Sequence, residues 1–447
     1  MNNMLHLPPI PTSILGLSNI EIEDAAMDSS GDFIIKVKSI DKIIKCQKCG
    51  DVTSPHGYNR SIRLRHLPVF GHKTYIETSP ARGICNKCDN HPTTTESSDW
   101  YNSGSSYTKA YEKHVILSLI NSTISDVSMK EDLGYKAVEA IVDRYIESEV
   151  NWDDILEIGL LGIDEISLKK GYQDFVTLIT SRSEKGTRII CLIKGRDKAE
   201  IKSFFASIPP DLKKTIIAVC SDMYDGFVNS AKEVFGADIP VIVDRYHVSK
   251  LYRKCLVTAR KAELKKLKKA LTKEEYKELK PAILLLSRRK EYEFSESEKE
   301  LVEPLFKLSP KLKTAYYLCL KLTAIYNKHS TSEEAFESIN SWIEDAEKSK
   351  LACFKTFIKT LKKYKSEICN YFLDRNTSGF VEGFNNKVKV LKRRCYGIFN
   401  LKHLFQRIFL DFSGYSFLND MNEVKYKNNA NYQRAHFRLY GTLLPCR

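Results

Sequence analysis

Nowhere in the 447 residues does an apolar run reach the ~18 residues that a membrane-spanning helix needs. The first twenty residues carry no Lys or Arg, so the basic start of a secretory signal is missing as well. These absences argue against a membrane-spanning helix and predict a cytoplasmic protein. Acid is missing from one further place: after Glu382 no Asp or Glu appears until Asp411, although basic residues are dense there. Over the whole chain 70 Lys and Arg stand against 56 Asp and Glu, a formal charge of +14. A surplus of that sign points to a polyanionic partner, most often nucleic acid. The length suggests roughly three domains of ~150 residues, ample for a sizeable core.

Cysteine is not scarce, and twelve are present. In a cytoplasmic chain they are not expected to pair as disulfides. Eight are scattered and read as small core residues or inert thiols. The remaining four form two C-x-x-C knuckles, Cys46/Cys49 and Cys85/Cys88. Two such knuckles offer four thiolates, a tetrahedral set suited to structural zinc in a closed, non-catalytic site. A redox reading needs only one knuckle and a thioredoxin-like context, which is lacking. Between the pairs, 61–67 and 73–79 read as strands and 68–72 as their turn. Arg60, Arg63, Arg65, Lys73 and Arg82 make this module, residues 1–97, basic.

Residues 105–150 predict three helices, 107–119, 124–133 and 135–148, with Gly134 as the break between the last two. That spacing suits a helix-turn-helix, and equally a plain helical bundle. In the first case Lys136, Glu139 and Arg144 form the exposed face of the recognition helix.

From residue 158 the period changes. Short β-branched runs at 159–166, 175–180, 187–193, 215–220 and 239–243 alternate with helical stretches at 197–206 and 224–235. The layout predicts an α/β domain with a mixed sheet. Asp164 interrupts an apolar strand, and alternation sends Asp164 and Glu165 to opposite faces. Asp222 follows the fourth strand at its carboxyl end, a usual address for ligands in open sheets. Asp225 reads as a helix-dipole partner, and Asp244 with His247 ends the next strand, where a cap is the plain reading.

Far downstream, Phe380, Phe384, Val388 and Leu391 recur at helical spacing, the buried stripe of a helix. Glu382 stands off that stripe in the first turn, with Lys389 about two turns on. The plain reading of such a Glu is that it favours its own helix N-terminus. With Asp164 and Asp222 it would instead complete three carboxylates on three elements. Mg²⁺ prefers oxygen ligands, and a pair of such ions can activate a hydroxyl and stabilise a leaving oxygen in phosphodiester chemistry.

The segments LGIDEISLKKGYQDFVTLITS, CSDMYDGFVNSAKEVF, VIVDRYHVSKL and GFVEGFNNKVKVLKRRCYGIFNLKHLFQRI, in this order behind the two knuckles, resemble the DDE transposases of the ISL3 insertion-sequence family. The resemblance covers nearly the whole chain. It implies an RNase H-like catalytic fold with Asp164, Asp222 and Glu382 as the metal-binding triad, with Mg²⁺ or Mn²⁺ as cofactor. Asp244 and His247 match a D-x-x-H element, and Lys389 matches a Glu-to-Lys spacing, as accessory residues. Lys387, Lys392, Arg393 and Arg394 become candidate DNA contacts. The partners implied are double-stranded DNA, at the element's inverted repeats and at the target, and further copies of the chain in a synaptic complex. One departure is Val381, where the family often carries Arg or Ala.

The catalytic domain is then discontinuous, 158–250 and 366–447, around a helical insertion at 251–365. Within that insertion Arg253 to Lys290 holds 14 Lys or Arg against four Glu. Helix is expected there with a break at Pro281, then at 312–326 and 332–346. Trp342, spaced with Ile339 and Ile343, reads as core. A rival from another class is a catalytically inactive, transposase-derived DNA-binding protein. A second is a nuclease of the same fold that cuts without joining.

Overall fold

The computed structural model describes residues 11–40, 43–168, 175–184, 186–288, 294–328, 330–373 and 379–427. Side chains at 287, 288, 379, 381, 382 and 422–427 fall outside that description. Of the sequence features above, 169–174, Arg289, Lys290 and the side chains of Val381 and Glu382 therefore lie outside the described residues. The chain divides into two compact units, 1–147 with 410–447, and 148–409.

The first unit opens with strands β1 (Ile20–Met27), β2 (Phe33–Ser39), β3 (Ser54–Tyr58), β4 (Ile62–Val69), β5 (His72–Thr78), β6 (Ala81–Ile84) and β7 (Thr93–Thr95). They form one sheet in the order β1-β2-β5-β4 and a second in the order β3-β6-β7. The expected hairpin is β4–β5, with a tighter turn than the sequence suggested. Val69 pairs with His72, so only Phe70 and Gly71 are left to turn the chain. Both have positive φ, 50° and 84°. That geometry belongs to the two-residue hairpin turns whose twist matches the flanking strands. Pro68 sits at an irregularity in β4, between His66 and Val69, where a missing N–H is tolerated. Ile35, Leu64 and Ile76 are fully buried beneath the larger sheet with Trp100.

Three helices follow, α1 (Lys109–Leu119), α2 (Ile124–Glu131) and α3 (Tyr135–Tyr145). Thr108 and Thr123 cap the first two by accepting from Tyr111 N and Asp126 N. Of the expected exposed face of α3, Lys136 and Arg144 are exposed. Glu139 is a correction: it is only 9% exposed and pairs with Lys136. Arg144 pairs with the buried Glu112 at 3.0 Å. Glu112 also accepts from Asn102, Ser105 and the Tyr145 hydroxyl, so Arg144 takes part in a polar network as well.

The second unit is built on β8 (Gly159–Ser167), β9 (Phe175–Ser183), β10 (Gly186–Lys194), β11 (Ile216–Ser221) and β12 (Val241–Val243). Their order is β10-β9-β8-β11-β12. The first three form an antiparallel meander, and β11 then pairs in parallel with both β8 and β12. Helices α4 (Lys198–Ser207), α5 (Pro210–Lys213) and α6 (Asp225–Phe235) supply the crossovers. Parallel pairing requires such crossovers.

Helix α7 (Arg245–Ala270) runs unbroken across residues 250 and 251, so the insertion grows directly out of the helix that follows β12. After it come α8 (Lys273–Glu278), α9 (Lys280–Arg288), α10 (Glu296–Leu308), α11 (Pro310–Asn327), α12 (Ser332–Lys348), α13 (Lys355–Lys363) and α14 (Lys365–Cys369). Pro281 starts a helix instead of breaking one. In the first turn of α9 its absent N–H would have had no intrahelical partner anyway. Parts of α7, α11, α12 and α13 share one core with the sheet, and Trp342 is fully buried there, donating to Leu318 O at 2.7 Å. The far end of α7 packs with α9 and α10 around Leu279, Leu305, Phe306 and Leu312 in a separate core. Helices α15 (Gly379–Arg394) and α16 (Leu401–Lys427) close the described chain. Phe384, Val388 and Leu391 of α15 are buried and Phe380 packs against the main core, so the stripe read from spacing is the face that docks.

Candidate metal centres and the basic helix

The four knuckle cysteines come together in the first unit. Their sulfurs all lie within 4.8 Å of one another. Cys46 Sγ is 3.9 Å from Cys88 Sγ, and Cys49 Sγ is 3.6 Å from Cys85 Sγ. Four thiolates at ~2.3 Å from one tetrahedral ion would stand about 3.8 Å apart, so the donor set fits zinc without rearrangement. The turns are built for this. Gly50 N donates to Cys46 O, closing the first knuckle, and Gly50 has φ 76°, which favours glycine. Backbone N–H groups of Cys49 and Lys48 face the Cys46 sulfur and hold its thiol down at about 7. Cys88 is pushed up to about 12, first by its contact with Cys49 and then by burial. A cluster that cannot hold four bare thiolates needs a cation to do so.

The second centre lies on β8 and just past the ends of β11 and β12. Cys220 pairs with Gly162 and Ser221 with Val243. Continuing those registers puts Asp222 beside Asp164 on one side and Asp244 on the other. The helix–sheet core shuts much of this row off from water. Burial raises the Asp164 carboxyl above its ordinary range, against the pull of Glu165 N–H and the charges of His247, Lys389 and Lys250. Burial likewise raises Asp222, to about 6, with Asp164 and Glu165 adding repulsion. Two acids sharing one partly desolvated site cannot both ionise freely. Asp222 Oδ1 is buried and has no hydrogen-bond partner. An orphaned carboxylate oxygen beside a second carboxylate is a donor set suited to a hard divalent cation.

Other candidates take varied places. Asp244 is the N-cap of α7 and accepts from Tyr246 N at 2.9 Å, so the cap role is real. His247 Nδ1 lies 3.8 Å from Asp244 Oδ2, and its ring charge acts on both Asp164 and Asp222. Asp225 stands apart from the acid row. It pairs with Lys363 and accepts from the Tyr364 hydroxyl at 2.7 Å, which holds its carboxyl below the usual range. Glu165 pairs with Arg196 at 3.3 Å.

Helix α15 brings its basic residues alongside. Lys389 is exposed and its charge reaches Asp164. Lys387 and Arg393 are exposed, Arg394 is half-buried, and Arg393 Nε turns back to Lys389 O at 3.3 Å. Lys392 is different: its ammonium donates to Ser167 O at the end of β8, and burial lowers its pKa. It therefore anchors the helix to the sheet as described. Glu382 lies in the first turn of α15.

Sequence reasoning missed three residues of this site. Asn385 donates from Nδ2 to Asp164 Oδ2. Lys250 follows His247 by three on the same helix, a spacing that could have been noticed. Arg196 lies over the rings of Phe175 and Tyr224 at 5.0 and 5.4 Å and bears on Asp222.

A mixed sheet that brings carboxylates together on adjacent parallel strands, beside a strongly basic helix, is an arrangement suited to phosphodiester chemistry through divalent ions. The profile of the ISL3 family, described as "Transposase", matches residues 161–408, more than half of the chain. The chain belongs to the ISL3 family of DDE transposases. It is 26% identical over 386 residues to the transposase for insertion sequence element IS1001 of Bordetella parapertussis, covering 85% of this chain and 91% of that protein. It is 22% identical over 421 residues to the transposase for insertion sequence element IS1557 of Mycobacterium tuberculosis, covering 89% and 93%. The DDE domain implies an RNase H-like fold, use of a divalent metal and DNA as substrate. The strand order of the second unit agrees with that fold.

Proposed function

We propose that the protein cuts phosphodiesters at the ends of its insertion sequence and joins the freed 3′-hydroxyls to target DNA, with Asp164, Asp222 and Glu382 as its metal-binding triad. The observation that carries this reading is the nearness of Asp164, on β8, to Asp222, just past β11, whose carboxyl it repels, with Asp222 Oδ1 buried and unpartnered. Helical spacing supports the third member. Position 382 precedes Asn385 by three and Lys389 by seven, and both of those bear on Asp164. That spacing supports Glu382 as a partner of the two acids.

Asp164 and Asp222, with Glu382, would hold Mg²⁺ or Mn²⁺. When bound, such ions activate a water or sugar hydroxyl and stabilise the leaving oxygen. His247, capped in place by the turn that begins at Asp244, and Lys389 lie where they can contact a DNA phosphate or offset the charge of the acids. Lys387, Arg393 and Arg394 extend the cationic surface along α15, and the exposed lysines of α7 extend it further. Lys392 keeps the helix against β8. Zinc on Cys46, Cys49, Cys85 and Cys88 holds the small sheet β3-β6-β7 together. Residues 1–97 and 105–150 serve as DNA-binding modules, the latter in a helix-turn-helix arrangement, and the enzyme acts in the cytoplasm as an oligomer that pairs the two element ends.

The test is a cleavage and strand-transfer assay on DNA carrying the element's inverted repeats, with D222N and E382Q beside the wild type. Both variants should bind the ends and neither cut nor join them. A variant that joins ends at the wild-type rate would overturn the triad. Cutting without joining by the wild type would assign a nuclease.

A further inference from the structure

Asn385 is 4% exposed, a rare environment for a primary amide. Its Nδ2 donates to Asp164 Oδ2. The amide cannot be turned the other way, because a carbonyl oxygen facing a carboxylate oxygen would leave two acceptors in contact. The orientation leaves Asn385 Oδ1 buried with no hydrogen-bond partner. A buried acceptor without a partner is costly, and an apolar side chain of similar size would avoid that cost. A second acceptor of the same site shares the condition: Asp222 Oδ1 is buried without a hydrogen-bond partner. Two such acceptors around one pair of acids mark a place shaped for something positive that brings its own hydrogens.

We infer that Asn385 is a positioning residue of the carboxylate site, its NH₂ fixing Asp164 while its Oδ1 accepts a hydrogen bond from water in the shell of a divalent cation. The inference rests on Asp164 and Asp222 being the cation-binding pair. Mg²⁺ gives up its waters reluctantly, so a site for it needs acceptors for those waters as well as carboxylates for the ion. Partners of this outer kind orient the direct ligands, and their loss typically weakens metal affinity about 10–100-fold. The place of Asn385 on α15 adds a consequence. The residue that orients Asp164 sits one turn beyond position 382, so a single helix supplies both the third acid and the group that sets the first.

The experiment is Mn²⁺ binding to the full-length, zinc-loaded protein without DNA, followed by the paramagnetic signal of free Mn²⁺. D222N serves as the reference for the site itself. N385L keeps volume and an apolar contact for the helix but removes both the donor and the acceptor. The expected result is a D222N-sensitive site in the wild type whose affinity falls about 10–100-fold in N385L, with the thermal midpoint of the zinc-loaded protein before Mn²⁺ is added unchanged or raised. Wild-type-like affinity in a folded N385L would overturn the inference while leaving the acid site standing. Should N385L fail to melt cooperatively, N385S and N385A decide: the serine, which keeps an oxygen, should bind several-fold tighter, and equal affinities overturn the role. If the wild type binds no Mn²⁺ up to millimolar concentration, or binds it as well in D222N, the carboxylate reading fails and the inference falls with it.

Discussion

The two candidate metal centres of this chain are built in opposite ways. The cysteine cluster draws all its donors from residues 46–88, on two local turns joined by a small antiparallel sheet. The carboxylate centre draws Asp164 and Asp222 from two strands and leaves its proposed third member to a helix whose first turn follows the whole insertion. Four sulfurs of the first would close around an ion. In the second, oxygen atoms are buried without partners and face a surface rich in Lys and Arg. The contrast separates a site that holds a fold together from one that the fold holds open. A closed thiolate set contributes its binding free energy to folding, whereas crowded carboxylates oppose folding until a cation neutralises them.

The largest expected effect follows from the first half of that comparison. Structural zinc in small modules binds with about 10–16 kcal/mol, most of it coupled to folding. Removing zinc with a strong chelator, or substituting C46S or C85S, should release amide hydrogen exchange throughout β3, β6 and β7 while β8 to β12 stay protected. Uniform protection in both regions after verified zinc loss would erase the distinction between the centres.

Next comes activity. D164A, D222A or E382A should each lower cleavage and joining by at least about 10³-fold, equivalent to about 4 kcal/mol of transition-state stabilisation. Binding to the element's ends should stay near wild type. If Glu382 served only to favour its helix N-terminus, its loss would instead cost well under ~2 kcal/mol of stability and leave the chemistry running.

How far these sites could be read from the sequence follows the same division. Thiol pairs at C-x-x-C spacing report their chemistry directly, because both ligands of a knuckle belong to one turn. The strands from 159 onward and the buried stripe Phe384, Val388 and Leu391 were legible from periodicity. By contrast, that Asp222 stands beside Asp164 depends on the parallel register of β8 and β11, which no local pattern encodes. Asn385 was illegible for the same reason: its partner is 221 residues away. Glu139 looked like a surface residue because charged side chains usually are, and the buried Glu112 that pairs with Arg144 lies on another helix. Strands β1 and β2 went unread, since β2 finds its parallel partner β5 only across the knuckle segment.

A smaller effect sharpens the electrostatic half of the contrast. The folded-state pKa of Asp222 is raised from 3.8 to about 6, chiefly by burial. The folded protein therefore holds that proton more tightly than the unfolded chain. The stability it lends is full below about pH 4 and is lost as pH rises through about 6, at most about 3 kcal/mol. Zinc-loaded protein free of Mg²⁺ should thus lose stability across that window, and either D222N or added Mg²⁺ should reduce the loss. A pH-independent midpoint shared by wild type and D222N would remove the strain ascribed to the acids.

The smallest effect concerns the cationic helix. DNA affinity should fall steeply with salt, and R393A should reduce the slope of the log–log plot by about one while leaving sequence preference unchanged. K392A should barely alter that slope, because Lys392 is committed to Ser167 O. Its expected signature is a lower thermal midpoint.

The central claim is that Asp164, Asp222 and Glu382 share divalent ions. The most direct measurement is anomalous diffraction at the manganese edge from crystals of the protein bound to its element's end and soaked in Mn²⁺. The account predicts density between Asp164 and Asp222 with the Glu382 carboxylate in its coordination shell. Manganese bound elsewhere, or a Glu382 carboxylate outside that shell with the DNA end in place, would contradict it.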